Sequence, residues 1–203
     1  AFFGQGTAVA VLRSSWRDAA VCLYAHGQGR SHNVPDHTHA DAGHFSLYVG
    51  GAALADDTGY FNFDEDAHNV VLIDDTPYQR AHHGQLLHGA FRDHGRHALL
   101  DCVQIDAAGA KGCLWAERIL LFVRGEEDFA YVVVLDNINR DNAVHNFKWQ
   151  LRPGRACRLE TAGHDDVPGT TAVARDADVA AVTRGGQACG AEGVDVVDVP
   201  RGA

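Results

Sequence analysis

Between Asp36 and Tyr60 the chain reads D-H-T-H-A-D-A-G-H-F-S-L-Y-V-G-G-A-A-L-A-D-D-T-G-Y. If the first part is extended, His37, His39 and Asp41 share one face at intervals of about 6.5 Å, because side chains alternate and each residue rises ~3.3 Å. Three ionisable groups on one side need water, one another or a cation to offset their desolvation. Two imidazoles and a carboxylate are a fitting donor set for zinc or a similar divalent ion. The alternative is ordinary core or surface histidines, and 13 histidines in 203 residues make any single H-x-H pair a weak signal.

The order of several blocks carries more. H-x-H-A-D-A-G-x-F-x-L-Y (His37 to Tyr48) is followed by Gly50-Gly51, by Asp56 to Tyr60 with an acid ahead of G-Y, and by A-H-N-V-V-L-I-D (Ala67 to Asp74). Over about the first third of the chain this order resembles the heparinase II/III-like polysaccharide lyases. Beyond it, only Leu135-Asp136-Asn137 and His145 to Pro153 are vaguely similar.

That resemblance implies a large antiparallel β-sandwich (a super-β-sandwich), preceded in the same protein by a helical toroid domain, with the active site between the two. It implies a lyase that cleaves an acidic, uronic-acid-containing polysaccharide by β-elimination, working in the periplasm or outside the cell. His37 would face the substrate as the catalytic residue. His39, Asp56 and His68 would hold a divalent metal, zinc ahead of calcium, with Asp57 as the rival to Asp56. Asp56 and Asp57 also suit a turn, since Asp bonds readily to its own backbone, and His68 suits a buried position at a strand start.

The elimination removes the C5 proton of the uronic acid while the bond from C4 to the leaving oxygen breaks. Charge accumulates on the carboxylate, where preorganised donors do most to lower the barrier, and a general acid must reach the leaving oxygen. A histidine can be base, acid or charge neutraliser near neutral pH, which is the range of roles open to His37. Arg80, His82 and His83 are the candidate substrate-binding residues. Arg80, Arg92 and Arg96 form the only local cationic cluster, and the His82 to His97 stretch is otherwise read as solvated loop or edge.

One departure bears on substrate. Between Gly59-Tyr60 and Ala67-His68, relatives commonly carry a longer segment with an Arg, whereas here it is F-N-F-D-E-D. Either Asp64, Glu65 and Asp66 turn away from the cleft, or the substrate is less charged than heparin. Alginate-like, hyaluronan-like and exopolysaccharide substrates therefore stay open.

Strands must position these groups. Short runs rich in Val, Ile, Phe and Tyr recur at Thr7 to Arg13, Ala19 to Ala25, Phe45 to Val49, Asn69 to Ile73, His97 to Ile105 and Leu114 to Val123. They continue at Phe129 to Leu135, Val144 to Leu151, Thr171 to Ala174 and Val179 to Thr183. Few hold an apolar stripe at helical period. The pattern predicts one all-β domain over residues 1–203, an antiparallel sandwich rather than βαβ units. The tail from Cys189 to Ala203 has little pattern. The chain starts at Ala1 without Met, so a processed precursor or an excerpt of a longer enzyme is expected.

Composition excludes several classes. A net charge of -10 offers no footprint for nucleic acid, which needs a basic patch. No run reaches the ~18 apolar residues of a membrane helix. Five cysteines, odd in number and without C-x-x-C, signal neither a disulfide framework nor a thiolate metal site. A cupin-like metalloenzyme would carry a Glu soon after H-x-H, and Ala42 to Gly51 contains none. A non-catalytic carbohydrate-binding or structural sandwich stabilised by metal remains the alternative, with Trp16, Trp115 and Trp149 as candidate sugar-stacking or core aromatics.

Overall fold

The computed structural model describes residues 2–4, 8–27, 39–75, 90–96, 99–126, 128–154, 158–162, 171–176, 179–184 and 193–197. Its strands are β1 Phe2–Gly4, β2 Val9–Arg13, β3 Val21–His26, β4 His44–Val49, β5 Ala52–Ala55, β6 Val71–Ile73, β7 Ala90–Arg96 and β8 Leu100–Asp106. They continue as β9 Trp115–Arg124, β10 Ala130–Asn139, β11 Phe147–Trp149, β12 Arg158–Ala162, β13 Thr171–Asp176, β14 Val179–Arg184 and β15 Gly193–Val197. A single turn of helix, α1 at Ala108–Lys111, links β8 to β9. No described helix is long and apolar enough to cross a membrane.

The fold is all-β and antiparallel. One sheet runs β1-β2-β3-β4-β5 and a second β15-β10-β9-β8-β7, with the pair β11-β6 and the triplet β12-β13-β14 beside them. Alternation explains the packing. Along β9, Ala116, Arg118, Leu120 and Phe122 are buried and their neighbours are not, and β2 and β3 alternate likewise. Leu12, Leu23, Phe45, Leu47 and Leu54 of the first sheet thus join Val103, Ile105, Leu120, Phe122 and Val132 of the second in one apolar cluster. Burying each such side chain is worth roughly 1.5–3 kcal/mol.

The exception to alternation locates the site. In β4, four consecutive residues from His44 to Leu47 are buried. Phe45 and Leu47 belong to the core between the sheets. His44, Ser46 and Tyr48 point to the opposite face, where residues 56–70 cover them. A two-residue hairpin aims the chain into that cover. Gly50 and Gly51, with φ of 56° and 82°, join β4 to β5, the primed turn geometry that fits strand twist.

Farther along, the stretch after β11 packs so tightly on β5 that a Cβ at Gly154 would lie 1.8 Å from the Ala53 carbonyl oxygen. Gly154→Ala is expected to lower stability by about 1–3 kcal/mol through overpacking. A fall in thermal midpoint at unchanged far-ultraviolet dichroism would register it.

At the surface, the His145 ring bridges Asp74 (Nδ1 to Oδ2, 2.7 Å) and Asp141 (Nε2 to Oδ1, 2.7 Å), clipping the 141–146 loop to the end of β6. Ring N–H donation to Asp141 first, then to Asp74, raises the His145 pKa above its ordinary 6.5. The two carboxyls are held below the usual range, Asp74 first by the Asn146 backbone N–H and then by His145, Asp141 first by His145. The clip is therefore fully charged between the depressed carboxyl values and the raised imidazole value, and it loses the imidazolium as pH rises through the latter. A ring-proton titration of His145 should show a midpoint above 6.5, moved down in Asp141→Asn.

Candidate metal centre

On the outer face of β4 the hydrogen bonds form a directed chain. His44 is buried, and desolvation, helped by nearby His68, pushes its pKa down to about 3. The ring is neutral. Its Nδ1 accepts the backbone N–H of Asn69 (3.1 Å), so Nε2 carries the proton and donates to Ser46 Oγ (3.0 Å). Ser46 in turn donates to Asp56 Oδ1 (2.9 Å). Tyr48 donates to Asp56 Oδ2 (3.0 Å), and the Asp57 N–H to Oδ1 (3.0 Å). The Asp56 N–H itself donates to the Arg152 carbonyl (3.0 Å). The carboxylate of Asp56 thus faces β4 and is engaged by three donors.

Its neighbour faces the other way. One ligand atom each from His39, Asp57 and His68 lie within 4.8 Å of one another. The acid that meets the two imidazoles is therefore Asp57, where the sequence favoured Asp56 and kept Asp57 as rival. Consecutive residues after β5 project oppositely, and β4 supplies hydroxyl donors on only one side. Asp57 Oδ1 also accepts the Gly59 N–H (2.8 Å), so the turn role and the site role coexist in one side chain.

His68 is fully buried, and among the described residues neither ring nitrogen has a hydrogen-bond partner. Desolvation lowers its pKa, which favours the neutral imidazole a metal requires. The His39 ring lies 5.2 Å from the His68 ring, with Phe63 edge-on at 5.0 Å and Tyr60 at 6.1 Å. Ligand atoms around a tetrahedral zinc sit about 3.3 Å apart at bond lengths of ~2.0–2.2 Å, so modest side-chain rotation would close this set on one ion. A buried imidazole without partners costs free energy unless something ligates it. The donor chemistry of His39, Asp57 and His68 would suit a divalent cation.

No protein-family model matches this chain, and no curated protein matches it.

Around the centre, Asn69 acts as a knot. Its side chain donates to the Phe45 carbonyl (2.8 Å) and the Asp56 carbonyl (3.3 Å), and its Oδ1 accepts the Arg152 N–H. The acidic loop resolves in part. Glu65 turns inward to pair with half-buried Lys111, while Asp64 and Asp66 are exposed. Arg152 Nη2 donates to the Asp66 carbonyl, so the stretch after β11, distant in sequence, brings a guanidinium to the loop that lacks an Arg of its own.

His37, Arg80, His82 and His83 lie outside the described residues, and the side chains of Arg92 and Arg96 on β7 are likewise not described. Sequence reasoning missed His44, Ser46, Tyr48 and Arg152. Strict alternation along β4 against Phe45 and Leu47 was the available signal for the first three; Arg152 had none.

Proposed function

We propose that this chain is the β-sandwich part of a metal-containing polysaccharide lyase acting on a uronic-acid-containing polysaccharide by β-elimination. The observation that carries the reading is the convergence of His39, Asp57 and His68 within 4.8 Å, because two of the three are the histidines that the lyase-like motif order marks as metal ligands. The all-β antiparallel fold supports it as well.

In this reading the ion fixes the segment through His39 and thereby sets His37, two residues earlier, against the sugar. His37 moves the proton or neutralises the substrate carboxylate. A helical toroid domain of the same protein completes the cleft, and an acidic oligosaccharide is the ligand. Bound metal supplies positive charge and a rigid anchor; the sugar chemistry falls to side chains.

The test is to incubate the zinc-loaded protein, with its helical toroid domain present, with alginate, hyaluronan and heparin and follow ultraviolet absorbance from the new C4–C5 double bond conjugated to the carboxylate. Absorbance that grows with wild type and not with His37→Ala supports the lyase. Zinc-loaded protein that binds sugar yet never produces unsaturated ends supports the second reading, a carbohydrate-binding sandwich. Exposed aromatics favour that alternative, with Trp16 88% and Phe61 83% accessible.

A further inference from the structure

Asp41 is a carboxylate with one oxygen committed and one not. Its Oδ2 pairs with His26 Nδ1 at 2.8 Å, whereas Oδ1 is buried and has no hydrogen-bond partner among the described residues. A buried carboxylate oxygen without a donor costs free energy, so an acceptor held this way needs a donor in the working protein.

The matching donor is close by. His68 has two buried ring nitrogens without partners among the described residues, and a metal can take only one of them. Asp41 exerts the strongest charge effect on His68 of the groups around it. The backbone fixes the approach: the His44 N–H donates to the Asp41 carbonyl (2.8 Å) and the Ala40 N–H to the Phe63 carbonyl (2.8 Å), while the His44 ring stands 5.3 Å from that of His68. Asp41 is not one of the three converging side chains.

We propose that Asp41 is the positioning carboxylate of the centre, accepting through Oδ1 the ring N–H of His68 that points away from the ion while Oδ2 stays with His26. Metal-bound histidines commonly donate their second ring N–H to a carboxylate, which fixes the tautomer and raises ligand basicity. The inference rests on the metal-centre reading above. It assigns a role to a largely buried carboxylate that lies two positions after a proposed ligand.

The experiment is a zinc titration of the full chain against a chromophoric chelator for wild type, Asp41→Asn and His26→Gln, with ¹H–¹⁵N spectra of the histidine rings of the zinc-loaded proteins. Expected are one zinc per wild-type chain, about 10–100-fold weaker binding by folded Asp41→Asn, and a protected His68 ring N–H present in wild type and His26→Gln but lost in Asp41→Asn. Folded Asp41→Asn binding zinc as tightly as wild type, with that N–H intact, overturns the proposal. So does His26→Gln losing zinc as strongly as Asp41→Asn, which would assign Asp41 to His26 alone. Should Asp41→Asn not fold, the wild-type spectrum decides: no protected His68 ring N–H in zinc-loaded protein overturns it. Wild type that takes up no zinc at all is a different failure, because it removes the centre itself and Asp41's role with it.

Discussion

Arg118→Met is expected to destabilise the fold by about 3–5 kcal/mol, the cost of breaking a buried ion pair from one side. The Arg118 side chain is only 4% exposed. Its Nε and Nη2 fork onto Asp136 Oδ1 and Oδ2 at 2.7 and 2.8 Å, and its Nη1 donates to the carbonyls of Gly43 (2.8 Å) and Asn69 (2.7 Å). One guanidinium on β9 therefore ties the second sheet to the start of β4 and to the residue following His68. Methionine would leave Asp136 with the Trp149 indole N–H (3.1 Å) and would strand two carbonyls. Urea unfolding should show a lower midpoint at unchanged slope. The double variant Arg118→Met/Asp136→Leu should recover part of the loss, since removing both charges leaves none uncompensated. A loss below about 1 kcal/mol in the single variant would contradict this view of how the sheets are tied to the site.

The second large effect separates two adjacent acids. Asp57→Asn should weaken zinc binding beyond the ~10–100-fold that changes behind the ligands cost, because a ligand charge is removed while an amide oxygen can still accept the Gly59 N–H. Asp56→Asn should stay within that range. Its damage falls on the Ser46, Tyr48 and Asp57 N–H donors, one of which would meet an amide NH₂, so its thermal midpoint should drop more than that of Asp57→Asn. Equal zinc loss in both variants, or the larger loss in Asp56→Asn, would reverse the assignment of the two carboxylates.

That reversal was open in the sequence for a physical reason. His39 and His68 could be named from motif order, and the fold brings their rings to 5.2 Å. Choosing between Asp56 and Asp57 needed the parity of the chain after β5. That parity depends on a register shift between Leu47 and Tyr48 against β5 and on the Arg152 carbonyl, and neither leaves a local trace. The all-β class was legible because burial alternates along nearly all of β9 and the first six residues of β10. β5 was not, since A-A-L-A has no β-branched residue and is made a strand by its hairpin. β7, expected as loop or edge, is the edge strand of the second sheet. The expected strand Val144 to Leu151 shrinks to β11, because the preceding residues are drawn into the His145 clip.

The most direct test of the central claim is the metal content of the purified chain after zinc loading and exhaustive dialysis. About one zinc per wild-type chain is expected, with none retained by folded His39→Ala or His68→Ala. A folded wild-type chain that retains no stoichiometric metal would contradict it.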